Sequence, residues 1–559
     1  MKNFAAKLEG IENFNDYINY MADAYGDSIA LSQLINSEFQ TLTFAELKAQ
    51  AEKIARFLNA RGIKAGDNVT LLSESRLEWP VLAFGTLLSG AVLTPLDIKL
   101  TSNELSILIE HSQPELVFYS KNMEKTLTET KTLCPFEFSS LLVDLDKIPD
   151  YQHRTIAPVD PEKMSILVYT SGTVGAPKGI MTKLSAILYQ VKESAVIFYC
   201  QDKQVFLSML PANHLFEFTA GICAALVTGA ELCIANSIEK DHLMYCMQQR
   251  KVTQIVSVPL FITNLKKGIE RNLASAPLLK QLVFKAMMFI ASFLTSEKLK
   301  RKLFKPIHDK MGGHIHRMVI GSAATPAEVV QFFNNIGIKI FEGYGLSETG
   351  PVISTNSPGQ YRLKSVGKPL GSIEVKIDNG EILTRGKHLM MGYYKNPELT
   401  SESFDEEGWF RTGDIGYVDK KGFVFITGRK KKMILLEGGK KVYPEEVETL
   451  LLNDEQIKEV AVVGRKLDKK SVNDAAIVAT MVPSDELKKQ YADDWEALEK
   501  LMVDKAKNIT KALAQFKKPT EYIVLKQDLP KTTTQKVKLN EVVKLVHNHY
   551  ESNNNSYLN

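Results

Sequence analysis

The strongest constraint on the fold of this chain is an alternation of short apolar segments with segments of helical periodicity. In residues 1–160, Phe44 to Leu58 is amphipathic, Asn68 to Leu72 is apolar and strand-like, and Trp79 to Ser89 is again helical. The same alternation continues over residues 206–320. It is typical of parallel strands joined by helices that cover the faces of a sheet, and it therefore predicts an α/β fold.

Two changes of pattern predict further units downstream. Residues 366–425 contain short strands separated by glycine turns, and Asn379-Gly380 is a strong signal for a tight hairpin turn. Beyond this region, a smaller set of strands and helices predicts an α+β module. We therefore predict an N-terminal domain of residues 1–430 and a C-terminal domain of residues 431–559.

The composition argues against several classes of protein. A net charge of +4 in 559 residues is too small a basic excess to indicate a nucleic-acid-binding surface. The five cysteines are odd in number and lack C-x-x-C spacing, which is typical of reduced thiols in the cytoplasm. No apolar signal-peptide core is present, and no uncharged apolar run reaches the ~20 residues of a membrane-spanning helix. We predict a cytoplasmic protein that does not bind nucleic acid.

The glycine-rich stretch YTSGTVGAPKG, residues 169–179, follows a short apolar run and precedes a helical pattern, so it is predicted to be a loop. Ser171 and Thr173 supply hydroxyl groups, and Gly172 allows a ligand to approach the backbone closely. Lys178 adds a positive charge, so the stretch suits a phosphate group. The alternative is a polar surface turn, because the stretch matches neither the nucleotide P-loop nor the dinucleotide fingerprint.

Two further glycine-containing stretches carry groups that suit a nucleotide. In EGYGLSETG, residues 342–350, the Tyr344 ring offers a flat face to a base, and Glu348 offers a carboxylate to a hard cation. In WFRTGDIG, residues 409–416, the Asp414 carboxylate can accept two hydrogen bonds from a vicinal diol. The alternative for both is a structural turn.

The segment 278–310 is rich in Leu, Phe, Met, Lys and Arg. One interpretation is a core-covering helix whose basic side chains are solvated, which is the commoner case. The alternative is a helix whose basic face lies on an anionic membrane. The sequence leaves both interpretations open.

Together these stretches, in this order, resemble the adenylate-forming enzymes, the superfamily of acyl-CoA synthetases, luciferases and peptide-synthetase adenylation domains. The loop LLEGGKKVYP and the insertion at 278–310 are most similar to long-chain fatty acyl-CoA synthetases, whose substrate partitions into membranes. Two positions depart from the superfamily pattern. Val174 stands where Thr or Ser is common, and Gln535 stands where Gly is common. The resemblance implies a large N-terminal domain of two stacked α/β subdomains and a small β-barrel-like subdomain, followed by a small mobile α+β domain.

The resemblance also implies roles for individual residues. Tyr344 would stack on adenine, the Thr349 hydroxyl would meet the α-phosphate, and Glu348 with Thr173 would hold Mg²⁺. His214 would gate the acyl pocket, and Lys536, in LPKTTTQK, would be the mobile catalytic lysine. The implied catalytic residues are Lys536, Glu348, Thr349 and His214. The implied ATP/AMP-binding residues are Thr170, Ser171, Gly172, Thr173, Lys178, Ser322, Ala323, Glu342, Gly343, Tyr344, Gly345, Asp414 and Arg429. The implied hinge is Lys431, and the implied lining of the thiol tunnel is Gly438 and Gly439.

The reaction implied is the ATP-dependent activation of a fatty acid to an acyl-adenylate, followed by transfer to CoA. ATP, Mg²⁺ and CoA are the expected cofactors and co-substrates. Two alternatives stay open: a ligase that loads an acyl carrier protein, and a non-catalytic nucleotide- or lipid-binding protein of the same fold. The expected location is the cytoplasm, with peripheral membrane contact through 278–310 as the alternative.

Overall fold

The computed structural model describes residues 2–170, 177–200, 202–436, 440–465, 476–531 and 537–555. The chain divides into two compact units. The first comprises Met1–Val375, Thr384–Phe410 and Lys420–Val424, and the second comprises Lys376–Leu383, Arg411–Asp419 and Phe425–Asn559. The predicted domain boundary after residue 430 stays a prediction.

The helices start and end where local chemistry favours it. The helix from Phe44 begins at a capping box, in which the Thr43 hydroxyl accepts from the Glu46 backbone and the Glu46 carboxylate accepts from the Thr43 backbone. The helices of the first unit are α1 Lys2–Glu9, α2 Phe14–Tyr25, α3 Phe44–Ala60, α4 Glu78–Leu88, α5 Ser102–Ser112, α6 Glu124–Leu133, α7 Leu184–Phe198, α8 Ala224–Leu226, α9 Lys240–Gln249, α10 Pro259–Ala274, α11 Leu278–Phe293, α12 Glu297–Leu303, α13 Lys305–Lys310, α14 Ala327–Asn335 and α15 Pro397–Glu402. The helices of the second unit are α16 Pro444–Leu452, α17 Asp485–Gln490, α18 Trp495–Ile509 and α19 Leu539–Asn555.

The strands are β1 Ile29–Ile35, β2 Glu38–Thr43, β3 Asn68–Leu72, β4 Val92–Pro95, β5 Leu116–Tyr119, β6 Ser139–Leu142, β7 Met164–Thr170, β8 Lys178–Lys183, β9 Val205–Ser208, β10 Glu231–Ile234, β11 Gln254–Ser257, β12 Arg317–Ile320, β13 Lys339–Tyr344, β14 Ser354–Thr355, β15 Lys368–Pro369, β16 Glu374–Asp378, β17 Glu381–Arg385, β18 Gly392–Tyr393, β19 Phe410–Val418, β20 Val424–Arg429, β21 Ile434–Leu435, β22 Lys441–Val442, β23 Ile457–Arg465, β24 Ala476–Pro483 and β25 Glu521–Val524.

Two large sheets form the first unit. One has the strand order β15-β14-β13-β12-β11-β9-β10-β1-β2, and the other has the order β18-β8-β7-β4-β3-β5-β6. Their central strands pair in parallel, and antiparallel strands lie only at the edges. One apolar core contains side chains of both sheets, including Phe118 and Ile166 of one and Phe206 and Val256 of the other. The predicted α/β class is confirmed.

The predicted loop at 169–179 is shorter than the sequence indicated. Strand β7 continues through Thr170, and β8 begins at Lys178, which pairs antiparallel with Thr170. The apolar and β-branched residues on either side favour an extended hairpin, and the helical pattern begins only at Leu184. The stretch therefore connects two paired strands rather than a strand and a helix.

The second unit contains a small sheet with helices on its faces. Strands β23 and β24 pair antiparallel, and β24 and β25 pair in parallel. Helices α16 and α18 contribute Val447 and Leu498 to a core on this sheet, whereas α19 contributes Val542 and Val546 to a second core. The α+β character predicted for the C-terminal region is confirmed. A separate four-stranded sheet has the order β16-β17-β19-β20.

Candidate functional site

Two side chains of the first unit, those of Lys178 and Tyr393, converge on one carboxylate oxygen of Glu348. Glu348 Oε1 accepts a hydrogen bond from Lys178 Nζ at 3.0 Å and another from the Tyr393 hydroxyl at 3.0 Å. Lys178 Nζ also lies 4.2 Å from the centre of the Tyr393 ring. Strand β8 carries Lys178, the adjacent β18 carries Tyr393, and a 3₁₀ turn after β13 carries Glu348. The sequence predicted Lys178 and Glu348 but not Tyr393.

Contacts within this cluster determine the protonation states of Lys178 and Tyr393. Burial lowers the pKa of Lys178, but the Glu348 charge and the Tyr393 hydroxyl outweigh burial, so the pKa lies above its usual value. Burial, with the Glu348 charge, raises the pKa of Tyr393. The lysine is therefore a cation and the tyrosine a neutral donor at neutral pH.

The cluster suits a magnesium ion that is held mainly by phosphates. The hydrogen bonds from Lys178 and Tyr393 both end on Oε1 of Glu348, so within this cluster of described side chains Oε2 is the oxygen that would ligate a cation. Over the described ranges of the chain, no group of three or more His, Cys, Asp or Glu side chains could form a protein-only metal site. Mg²⁺ commonly binds through one or two carboxylates together with substrate phosphates, and the donor set fits that mode.

The turn that carries Glu348 is tightly anchored. Thr349 is buried, and its hydroxyl accepts from the Leu346 backbone N–H at 2.9 Å and donates to the Leu346 carbonyl at 3.0 Å. Gln190 Nε2, on α7, donates to the carbonyls of Thr349 at 3.2 Å and Val352 at 2.6 Å. A side chain at Gly345 would lie 2.0 Å from the Pro351 carbonyl oxygen, so only glycine fits there. The sequence did not indicate the anchoring role of Gln190.

The residues before this turn lie at the carboxyl end of β13. Tyr344 is its last residue and is 7% exposed, and Gly343 pairs with Thr355 of β14. Burial raises the pKa of Glu342 to about 7. Its buried Oε2 has no hydrogen-bond partner within the described part of the chain. A buried carboxyl group with a perturbed pKa at a strand end is a feature of functional sites.

Three further predicted residues follow strands of the nine-stranded sheet. They are His214, after β9, and Ser322 and Ala323, after β12. His214 follows β9, and its carbonyl accepts from the Phe218 backbone N–H at 3.0 Å. A Cβ at Gly321, directly after β12, would lie 2.9 Å from the Phe216 ring, so the segment after β12 packs against the helical turn that follows His214. The exposed Ser322 has a positive φ of 78°. The carboxyl ends of parallel strands are where α/β sheets bind ligands.

Glu217 is a buried acid that the sequence did not single out. It begins a π-helix, Glu217–Cys223, and its Oε1 accepts a hydrogen bond from Ser208 Oγ at 2.5 Å. Burial raises its pKa to about 8, although the Ser208 hydrogen bond opposes the shift. A Cβ at Gly221 would lie 2.4 Å from Glu217 Oε2, so the carboxyl group fills the space that glycine leaves. Its position between two aromatic residues in LFEF was the available signal.

Glu217→Gln is expected to change how stability depends on pH. In the folded protein Glu217 keeps its proton up to a pH of about 8, whereas in the unfolded chain it ionises at its ordinary, lower pKa. The free energy of unfolding of the wild type therefore falls as pH rises from the unfolded pKa to the folded pKa. The amide cannot ionise and still accepts the Ser208 hydrogen bond. The melting temperature of Glu217→Gln, relative to wild type, should rise by several degrees between pH 5 and pH 8. The exposed Glu406→Gln is the matched control and should show no such trend, and an equal trend in both variants would contradict the assignment.

Two predicted nucleotide-binding residues meet in the second unit. Asp414 on β19 is 2% exposed, and its Oδ1 lies 2.8 Å from Arg429 Nε on β20. Nearby, Glu381 accepts from Lys430 Nζ at 2.9 Å and from the Gly413 backbone N–H at 3.0 Å. The arrangement presents a buried carboxylate, oriented by a half-exposed guanidinium, that suits a diol.

Several predicted residues lie outside the described residues, and their roles stay predictions. Lys431 has a described backbone, in the 3₁₀ turn Lys430–Lys432, but its side chain is outside. Thr170, a predicted binding residue within the stretch 169–179, is described and is the last residue of β7. The residues outside are Ser171, Gly172, Thr173, Gly438, Gly439 and Lys536.

Comparison with known families gives two matches in chain order. The profile described as AMP-binding enzyme matches residues 19–394, which is more than half of the chain. The profile described as AMP-binding enzyme C-terminal domain matches residues 446–536.

Several ligases are similar to this chain over most of their length. The long-chain-fatty-acid–CoA ligase of Bacillus subtilis is 28% identical over 548 residues, covering 89% of this chain and 88% of the ligase. The long-chain-fatty-acid–CoA ligase FadD15 of Mycobacterium bovis is 28% identical and covers 78% of each chain. The chloroplastic long-chain-fatty-acid–[acyl-carrier-protein] ligase AEE15 of Arabidopsis thaliana is 26% identical and covers 79% of this chain and 73% of the ligase.

Solved structures share the fold. The O-succinylbenzoate coenzyme A synthetase MenE of Bacillus subtilis, in complex with AMP, superposes with a TM-score of 0.73 at 24% identity, over 93% of this chain and 96% of the synthetase. The anthranilate CoA ligase AuaEII, in complex with anthranoyl-AMP, has a TM-score of 0.76 at 20% identity, over 95% of this chain and 97% of the ligase. At these identities the likeness concerns the fold.

Proposed function

The chain belongs to the family of AMP-binding enzymes, and on this premise we propose that it activates a long-chain fatty acid with ATP and transfers the acyl group to CoA. Its reaction class is that of an AMP-forming acid–CoA ligase. The observation that carries the proposal is the Glu348 carboxylate bonded to Lys178 and Tyr393, beside the strands that flank the predicted phosphate loop. This cluster offers a cation to phosphate and a carboxylate oxygen to Mg²⁺.

In the first step a carboxylate oxygen of the acid attacks the α-phosphorus of ATP. The bond from that phosphorus to the bridging oxygen breaks, and pyrophosphate leaves with the electron pair. Both reactants are anionic, so catalysis depends on positioning and on stabilising charge. Lys178 supplies a fixed cation, Glu348 would hold Mg²⁺, and Lys536 is proposed to approach the bridging oxygen. Mg²⁺ supplies neutralisation of the phosphate charge when it is bound.

In the second step the thiol sulfur attacks the acyl carbonyl carbon, and AMP leaves with the former carboxylate oxygen. The buried Asp414 and its partner Arg429 are proposed to bind the ribose. Rotation about Lys431 is proposed to remove Lys536 and to bring Gly438 and Gly439 to the thiol path. The expected cytoplasmic location stays part of this proposal.

The long-chain acid is supported by the names of the similar ligases of Bacillus subtilis and Mycobacterium bovis. The fold alone does not select the acid, because the structures that share it bear the names of O-succinylbenzoate and anthranilate ligases. The similar plant ligase is named for an acyl carrier protein acceptor, so a carrier protein is the second candidate acceptor. CoA and a carrier protein present the same phosphopantetheine thiol.

A panel of acids and acceptors tests this proposal. The protein is incubated with ATP, Mg²⁺ and fatty acids from short to long, with CoA or with a holo carrier protein as the acceptor. We expect thioester formation with CoA, and the highest kcat/KM with long-chain acids. A preference for the carrier protein would replace CoA as the acceptor. Nucleotide binding without AMP formation from any acid would favour a non-catalytic protein.

A further inference from the structure

Helix α11 has an apolar residue on nearly every side, and only one side packs on the protein. Phe284, Met287, Met288 and Ala291 face the core of the nine-stranded sheet, and the Phe284 ring packs edge-on against Phe304 at 5.6 Å. These residues recur at helical spacing and account for the attachment of the helix.

The opposite side of α11 is an apolar stripe exposed to solvent. Seven of the twenty large apolar side chains that are exposed in the described part of the chain lie on this one helix, with exposed fractions of 49–73%. With the exposed Ala286 between Val283 and Phe289, successive members lie three or four residues apart along one side of the helix, so they form one contiguous surface. A soluble protein rarely exposes such a surface without a partner. The stripe consists of Leu278, Leu279, Leu282, Val283, Phe289, Ile290 and Phe293.

The basic excess of the chain is concentrated in the same segment. Residues 278–310 contain eight basic and two acidic residues, a net charge of +6, whereas the whole chain has +4. Helix α11 itself contains the exposed Lys280 and Lys285 and no acid. The exposed Lys298 and Lys302 follow on α12. An apolar stripe bordered by cations complements a surface that is apolar beneath an anionic layer.

We propose that the α11 stripe and its flanking lysines dock on the surface of an anionic lipid bilayer. The helix lies in the interface with Phe289 and Phe293 in the acyl boundary and with the lysines at the headgroups. A second copy of the chain is disfavoured as the occupant, because two such segments of +6 would repel each other. Among the described helices none has the length and apolar character to cross a bilayer, so the contact is peripheral. It deepens the proposed function only by placing the enzyme where long-chain acids dissolve.

Vesicle sedimentation of the full chain tests this docking. Wild type is expected to sediment with vesicles of phosphatidylcholine and phosphatidylglycerol and much less with phosphatidylcholine alone. The double variant Phe289→Ser/Phe293→Ser should bind at least about tenfold more weakly, because it removes the two largest apolar side chains that would be buried in the bilayer. Lys280→Glu/Lys285→Glu should lose the preference for anionic vesicles. The matched control is Ile238→Ser, which removes a residue that is 74% exposed elsewhere and should bind as wild type does.

The outcomes separate docking from the enzymatic proposal. Each variant is checked by circular dichroism and by pyrophosphate exchange with a water-soluble short acid, which should be unchanged. Loss of exchange would show a general defect, and the more conservative Phe289→Leu/Phe293→Leu would then be tested for intermediate vesicle binding. Equal binding of wild type and Phe289→Ser/Phe293→Ser would overturn the proposal. Self-association of wild type that the serine variant abolishes, without vesicle binding, would assign the stripe to a second copy.

Discussion

Glu348→Gln is expected to lower the rate of acid-dependent exchange of pyrophosphate into ATP by at least about 100-fold, as loss of one electrostatic group in an active site commonly does. Glutamine keeps the shape of the side chain and can still accept hydrogen bonds from Lys178 and Tyr393. It removes the negative charge that pairs with the lysine and that would ligate Mg²⁺. The exchange is measured at saturating ATP and over a range of Mg²⁺ concentrations.

Glu374→Gln is the matched control for that variant. Glu374 also pairs with a cation, Arg385, at 3.1 Å, but the pair is exposed and apart from the candidate site. Exposed pairs contribute little, so exchange should stay within about twofold of wild type. Tyr393→Phe removes one of the two donors to Glu348 and should have a smaller effect than Glu348→Gln. Wild-type exchange by Glu348→Gln at limiting Mg²⁺ would contradict the role of the cluster.

Lys536→Ala should have the second large effect, and it should be confined to one half-reaction. The proposed role is a cation near the bridging oxygen in adenylation, so its loss should slow adenylation by roughly 10³-fold, the upper range for one electrostatic group. Transfer to CoA from acyl-adenylate supplied directly should change only a few fold. Rapid-quench measurements of each half-reaction separate the two.

The neighbouring Lys538→Ala tests whether position rather than charge matters. Lys538 lies two residues further on and pairs with Glu541 at 3.1 Å. It carries the same charge in the same segment and should leave both half-reactions nearly unchanged. An equal loss of both half-reactions in Lys536→Ala, or an equal loss in the two variants, would remove the special role of Lys536.

The fold could be predicted because it depends on local patterns. The apolar segment Asn68 to Leu72 and the amphipathic segment Phe44 to Leu58 each show from their own sequence which side chains are buried. The alternation of such segments was enough to predict the α/β class. The hairpin of Thr170 and Lys178 was missed because antiparallel pairing depends on the partner strand. Glycine and hydroxyl composition alone favoured a longer loop.

The candidate site could be predicted where a short sequence contains the whole chemical group. Glu348 and Asp414 stand in such sequences, and the structure places each next to a cation, Lys178 and Arg429. The supporting residues were missed. Tyr393 meets Glu348 across 45 residues, and Gln190 reaches the turn across 159 residues, so no local pattern could show either contact.

The segment 278–310 shows a different limit of sequence patterns. A helix with apolar residues on both faces does not show which face packs. In the structure one face of α11 joins the core and the other is exposed. The interpretation as a core-covering helix therefore concerns one face of α11, and the interpretation as a membrane-contacting helix concerns the other.

The most direct test of the account follows the oxygen atoms of the acid. Fatty acid labelled in its carboxylate with the heavy isotope of oxygen is converted with ATP and CoA, and the products are analysed by mass spectrometry. Attack on the α-phosphorus followed by thiol attack on the acyl carbon predicts one labelled oxygen in the AMP. Label in pyrophosphate or phosphate, with unlabelled AMP, would contradict the account.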